Sequence, residues 1–202
     1  MLNITIHKTD APKEKPAKGT ALGFGNLFTD HMFLMDYTPE QGWHDARIVP
    51  YGPLTLDPAA SVLHYGQACF EGLKAYRGPD GKVRLFRPDC NGRRMMQSMR
   101  RMCMPEIPEE DFVQAIRALC RVEEAWVPDE IGSSLYFRPL AIATTPKLGV
   151  HASGNYLFCV LASPAGTYYP TGMEPVRIYV EPHYIRAAEG GTGFTKCAGN
   201  YA

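Results

Sequence analysis

A surplus of charge is the first thing this sequence lacks. Lys and Arg total 21, Asp and Glu total 21, and the formal net charge is zero. A protein that holds nucleic acid by neutralising phosphates needs a basic excess, so nucleic-acid partners are not expected. Small anionic ligands remain open, because one or two placed arginines suffice for them. Long apolar runs are also missing. The longest clear one, residues 156–162, is well short of a membrane span, and no membrane partner is expected. The six cysteines (Cys69, Cys90, Cys103, Cys120, Cys159, Cys197) never take the two-residue gap of a zinc or redox pair. Several lie in apolar stretches and read as reduced thiols of a cytoplasmic protein. His7, His31, His44, His64, His151 and His183 show no metal-ligand spacing, so no metal is expected. Nucleophile elbow, Walker loop and dinucleotide fingerprint are all absent, and the glycines of 190–193 have the wrong spacing for the last of these. Met1 to Thr20 is polar, holds Lys8, Lys13, Lys15 and Lys18, and has no apolar core segment of the kind a secretory signal needs.

What is present suits a globular α+β protein. The 202 residues are 45% hydrophobic, enough for one large domain or one domain and part of another. Residues 1–25, punctuated by Pro12, Pro16, Gly19, Gly23 and Gly25, read as an arm. Order is expected to begin with an apolar strand over 27–37, followed by a weaker strand over 43–51. Residues 63–77 suggest a helical turn and then a strand. Gly78-Pro79-Asp80-Gly81 supplies a turn, because proline presets one φ and glycine accepts a positive one, so 73–87 reads as a hairpin. Pro88 opens a helix whose Met95, Met96, Met99, Met102 and Cys103 recur at helical spacing, a stripe better read as core than as a groove. Pro105 and Pro108 end it. Pro108 starts a second helix, acidic in its first turn, with Phe112, Val113, Ile116, Leu119 and Cys120 on one side and Pro128 as its limit. Strands are expected at 133–145 and 155–163, then a proline- and glycine-rich linker within 164–175, then a last strand at 176–181.

Three places offer chemistry. Lys196 lies in Gly190-Gly191-Thr192-Gly193-Phe194-Thr195-Lys196-Cys197-Ala198-Gly199-Asn200-Tyr201-Ala202, where small residues let a bulky ring approach the backbone. An amine with room around it can form a Schiff base with an aldehyde cofactor; the plain alternative is an ordinary lysine in a solvated tail. Arg87 ends a hairpin strand just before a proline-started helix, where its guanidinium could grip a phosphate or form a surface ion pair. Tyr136 and Arg138 are two apart on a strand and so share a face, with Leu135 and Phe137 on the other. A buried arginine there needs a partner, either a substrate carboxylate or a structural acid.

The stretches FTDHMF (28–33), LHYGQACFEGLKAYRG (63–78), VRLFRPDCN (83–91), WVP (126–128), SLYFRP (134–139) and GFTKCAGNYA (193–202) together carry a family likeness. The sequence closely resembles the branched-chain amino acid aminotransferases, pyridoxal 5'-phosphate enzymes of fold-type IV. The resemblance implies a small N-terminal α/β-sandwich domain at 1–170, an interdomain linker at 171–175, and at 176–202 the first edge of a large cofactor-binding domain that is truncated. It implies that Lys196 bonds the cofactor and then shuttles a proton, that Arg87 binds the cofactor phosphate, and that Tyr201 lies near the cofactor's phenolic oxygen. It places Tyr136 and Arg138 in the substrate pocket, the arginine accepting glutamate's side-chain carboxylate, with Phe28, Tyr65 and Phe70 as aromatic walls. The implied reaction converts leucine, isoleucine or valine and 2-oxoglutarate to branched 2-oxo acids and glutamate, in a homodimer or higher oligomer whose pocket borrows residues from its partner. D-amino acid aminotransferase and aminodeoxychorismate lyase share the lysine and the phosphate arginine, and a non-catalytic short protein that pairs with a full-length subunit is a further alternative. Two departures stand out. Ala198-Gly199 replaces the usual two glycines, which would strain the loop if position 198 needed a positive φ. Family members also continue well over a hundred residues past the lysine, so this chain by itself is expected to have little or no activity.

Overall fold

The computed structural model describes residues 1–167, 169 and 174–202. Eight strands form one mixed sheet: β1 (Thr5–Ile6), β2 (His31–Thr38), β3 (Gly42–Pro50), β4 (Ala68–Phe70), β5 (Leu73–Arg77), β6 (Val83–Leu85), β7 (Ser134–Ala143) and β8 (Tyr156–Ala165). Their order is β1-β3-β2-β8-β7-β5-β6, with β4 also on β7. Helices α1 (Ser61–Tyr65), α2 (Pro88–Arg101) and α3 (Glu109–Val122) complete the described architecture, with short 3-10 turns at Glu124–Trp126 and Ala198–Tyr201.

Alternation sorts the central strands between two faces. Phe33 and Met35 of β2, Phe137 and Ala141 of β7, and Phe158 and Val160 of β8 face α2 and α3, where Met95, Met99, Phe112, Ile116 and Leu119 close a large core. Met32, Leu34, Ile142, Leu157 and Cys159 face the other way, into a smaller cluster that includes Ala68 and Ala198. The helices approach closely at Gly92, where an added Cβ would lie 3.2 Å from the Phe112 ring. The methionine stripe is core at Met95 and Met99, while Cys103 is exposed.

Both prolines inside the central strands sit where a neighbouring strand is missing. Pro139 falls between the β5 partners of β7 (Leu135 to Phe137) and its β4 partners (Leu140 to Ile142). Pro164 lies past the end of the β2–β8 ladder, which stops at Val160. A residue without an N–H is tolerated at such places.

Several expectations need correction. The arm is not free of order: Thr5–Ile6 pairs in parallel with β3, and Leu2 exchanges two hydrogen bonds with the Gln114 amide. The open edge of β3 supplied the partner that composition could not reveal. The weak strand at 43–51 is a full strand of nine residues. The segment after α1 is two strands rather than one, bent at Glu71-Gly72. Helix α3 ends at Val122, well before Pro128, because Glu123 caps it and turns its carboxylate into the body. Strand β8 runs through Pro164 and Ala165, which were expected in the linker; of the linker itself, residues 168 and 170–173 lie outside the described residues. Residues 176–181 form no strand, and their side chains are exposed with no neighbouring strand alongside among the described residues.

The arm is fastened by a buried polar cluster. The His31 ring accepts from the Thr9 N–H at Nε2 (2.9 Å), which leaves its proton on Nδ1, facing Glu123 at 2.5 Å. Asp30 accepts from the Lys13 N–H (2.8 Å) and from the Trp126 indole (2.9 Å).

Candidate active site

The lysine segment folds back onto the edge of β4 and the flank of α2. Cys69 and Cys197 face each other in an antiparallel bridge, and the Phe70 N–H donates to the Lys196 carbonyl at 3.0 Å. Both cysteines point into the helix-side core, so Lys196 and Phe70 project from the opposite face, the face that carries Tyr136 and Arg138. Burial, with the neighbouring Cys197, pushes the Cys69 thiol up to about 12, which makes it packing rather than a nucleophile. Helix α2 holds the segment at two points. Ser98 Oγ accepts from the Lys196 N–H (3.0 Å), and the Arg101 guanidinium donates to the carbonyls of Gly190 and Gly191 (3.0 and 3.1 Å). The loop is closed by Asn200, whose amide donates to the carbonyls of Thr192 and Thr195, both at 2.7 Å. Ala198 has no positive φ and opens the terminal 3-10 turn, so the alanine in place of glycine causes no backbone strain.

Five of the expected residues meet here. Lys196 Nζ donates to the Tyr201 hydroxyl at 3.1 Å and lies 4.4 Å from the centre of the Phe70 ring. Phe70 and Tyr201 meet edge to face at 4.8 Å. The Arg138 guanidinium also sits over Phe70, 4.8 Å from the ring centre, and its Nε donates to the Tyr136 hydroxyl at 3.0 Å. Phe70 is thus an aromatic ring shared by an amine and a guanidinium. Tyr136 reaches this position only because residue 72 is glycine: a Cβ there would collide with its hydroxyl.

The other three stand elsewhere. Tyr65 ends α1 and accepts from the Gly149 N–H at 2.7 Å. Phe28 stacks on Tyr51 with centroids 4.8 Å apart. Arg87 caps α2 in a left-handed conformation (φ 49°, ψ 49°), exposed, its guanidinium without a hydrogen bond or ion pair among the described residues. A non-glycine residue held there is uncommon.

Four features escaped the sequence reading. Phe24 of the arm packs edge-on against Tyr136 at 4.9 Å. Glu71, fully buried, accepts from Arg94 Nε and Nη2 at 2.5 and 2.8 Å and from Asn91 Nδ2 at 2.8 Å. Asn91, Arg94 and Ser98 follow an i, i+3, i+7 spacing beside the methionine stripe, a polar line that could have marked the helix face turned to the site. Asn200 had no such signal.

A cavity of about 270 Å³ opens beside Lys196, lined by Arg94, Gln97, Arg186, Thr195 and Tyr201 among others. Among the described residues no carboxylate pairs with Lys196, and its polar side-chain partner is the Tyr201 phenol. An amine free of an ion pair with open space beside it fits an aldehyde cofactor, and an unpaired exposed guanidinium at Arg87 fits an anion.

With this geometry in place, the chain can be compared with known proteins. No protein-family model matches it. It is 57% identical over 200 residues to branched-chain-amino-acid transaminase 1 of Bacillus subtilis, covering 98% of this chain and 56% of the relative. It is 51% identical over 205 residues to the branched-chain-amino-acid aminotransferase of Mycolicibacterium smegmatis, covering 100% of this chain and 56% of that one. The chain belongs to the branched-chain-amino-acid aminotransferase family. It spans about half the length of these aminotransferases. Two solved structures share the fold. The branched-chain aminotransferase of Thermoproteus uzoniensis superposes with a TM-score of 0.64 at 23% identity, covering 85% of this chain and 52% of the other. That of Escherichia coli gives 0.55 at 21%, with the same coverage. The mixed sheet with few helices is therefore the fold-type IV architecture of this aminotransferase family.

Proposed function

We propose that these residues serve a pyridoxal 5'-phosphate-dependent transamination between branched-chain L-amino acids and 2-oxoglutarate. The observation that carries the proposal is the cluster in which Lys196 Nζ, the Tyr201 hydroxyl and the Phe70 ring meet, with the Arg138 guanidinium over the same ring. Lys196 would hold the cofactor covalently and Arg87 would bind its phosphate. The bound cofactor would supply the electron sink that such chemistry requires. Lys196 Nζ would take the proton from the substrate α-carbon as a general base and deliver it, as a general acid, to the cofactor carbon. Tyr201 orients that amine through its hydroxyl. Arg138, held by Tyr136, receives the side-chain carboxylate of glutamate or 2-oxoglutarate, while Phe70 offers an apolar wall to branched side chains. One methylene changes binding in such a pocket by about 1–3 kcal/mol, so discrimination among leucine, isoleucine and valine is modest. Tyr65 and Phe28, away from the cluster, would act from a neighbouring subunit of a homo-oligomer. The domain limits 1–170 and 176–202 belong to the same proposal.

The test is borohydride reduction after incubation with the cofactor, followed by peptide mass analysis, on residues 1–202 and on a chain of the relatives' length. Label on Lys196 together with turnover of leucine and 2-oxoglutarate by the longer chain is expected. Label on another lysine, or turnover of D-alanine or aminodeoxychorismate in place of leucine, would overturn the reading.

A further inference from the structure

A hydroxyl interrupts the sealed stripe of α2. Ser98 lies on the helix between Met95 and Met99 and, like them, is buried. A serine in a helix interior competes for backbone hydrogen bonds, and a buried hydroxyl costs stability unless it is bonded. Alanine would suit the position better on both counts. What the hydroxyl does there is accept from the Lys196 N–H at 3.0 Å, the one hydrogen bond its side chain makes among the described residues. Lys196 is thereby held from two sides. Its N–H goes to α2 through Ser98, and its carbonyl accepts from the Phe70 N–H of β4 at 3.0 Å. Its chain neighbours Thr195 and Cys197 are buried, whereas Gly193 and Phe194 are exposed. Order in the segment is concentrated at the root of the lysine.

We propose that Ser98 is a positioning residue for Lys196, fixing the backbone root from which the amine works. The proposal rests on Lys196 being the reactive amine of the preceding section and gives a role to a helix residue that has none there. In that reaction Nζ has to serve two atoms, the substrate α-carbon and the cofactor carbon. A lysine side chain is a flexible stem, so a moving root would spread the amine over many positions. Misplacement by about 1 Å can cost about 10²-fold in rate. The Tyr201 hydroxyl, 3.1 Å from Nζ, steadies the tip, but Tyr201 lies on the same segment as the lysine. Ser98 lies on α2, which is packed into the large core through Met95 and Met99, so its contact ties the segment to a body outside itself.

The test compares Ser98→Ala with the parent in a chain of the relatives' length. Ser134→Ala is the control, since Ser134 is also buried and its hydroxyl has no hydrogen-bond partner among the described residues. Amide hydrogen exchange on the cofactor-free protein reads the anchor directly. Exchange at Lys196 should quicken about 3- to 10-fold in Ser98→Ala, as one hydrogen bond is lost, and keep the parent rate in the control. Turnover of leucine and 2-oxoglutarate then reads what the anchor is for. In Ser98→Ala kcat should fall about 10-fold with KM for both substrates within about twofold, because the lysine and not the substrate pocket has lost its footing. A general loosening would raise KM and lower the thermal midpoint together, and that result would overturn the proposal. Unchanged exchange at Lys196, or unchanged kcat in an active protein, overturns the role of Ser98 alone. A parent chain labelled by the cofactor on another lysine overturns the functional reading and the role of Ser98 with it, even where exchange shows the anchor.

Discussion

The two faces of the sheet use the same strands for different ends. One face is apolar and sealed: Phe33, Phe137, Phe158, Met95, Met99 and Phe112 have no exposed surface. The other carries Phe70, Tyr136, Arg138 and Lys196, half-buried side chains in which two cations and a phenol gather about one aromatic ring. Single residues divide the roles, since Phe137 and Arg138 are chain neighbours facing opposite ways. Stability and chemistry should therefore separate by mutation, even between adjacent positions.

That separation can be broken from either side. The largest effect is expected for Lys196→Ala in a chain of the relatives' length. It should lower turnover by at least about 10²–10⁴-fold through loss of the acid–base group, with the thermal midpoint unchanged. From the sealed face, Phe158→Ala should cost about 3–5 kcal/mol in urea unfolding while Lys196 remains labelled by the cofactor. Gly72→Ala tests the boundary. The new methyl displaces the Tyr136 hydroxyl, and an overpacking cost of about 1–3 kcal/mol should come with a raised KM for glutamate and a smaller change in KM for leucine.

A pH series sharpens the comparison further. Burial raises the Glu123 carboxyl above its ordinary 4.5. A group raised in this way contributes stability below its unfolded value and loses it as pH climbs through the folded value. Measured against Glu123→Gln by urea midpoints at pH 4 and pH 7, the parent should lose relative stability at the higher pH. The smallest effect belongs to Asp80→Asn. Arg84 holds that carboxyl down to about 2, but the pair sits exposed on the β5–β6 turn, and no change in thermal midpoint is expected between pH 5 and 8.

Periodicity made much of this legible. The Pro88 helix, the turn at 78–81 and the shared face of Tyr136 and Arg138 each follow from a local rule, and each is present. Family likeness named Lys196, and its contacts with Phe70 and Tyr201 gather residues far apart in the chain. The illegible parts were non-local. The Thr5–Ile6 strand needed the free edge of β3, and the early end of α3 needed His31 as a destination for Glu123. The Glu71–Arg94 pair joins a bend to a helix 23 positions later, a distance at which no spacing rule operates. The expected strand at 176–181 failed for the opposite reason: its apolar residues had the right composition and no partner edge among the described residues.

The middle of the sheet has a consequence for how the protein is made. Strand β2 lies between β3 and β8, and Phe33 pairs with Val160. During synthesis β2 and its hairpin partner leave the ribosome long before β8 exists. At about 5–20 residues per second the wait is on the order of ten seconds. Throughout it the inner edge of β2 has unpaired backbone groups flanked by Phe33, Leu34 and Met35, the kind of edge that recruits other chains. Until residue 165 has emerged, that edge is the place where a nascent chain would be expected to associate with others.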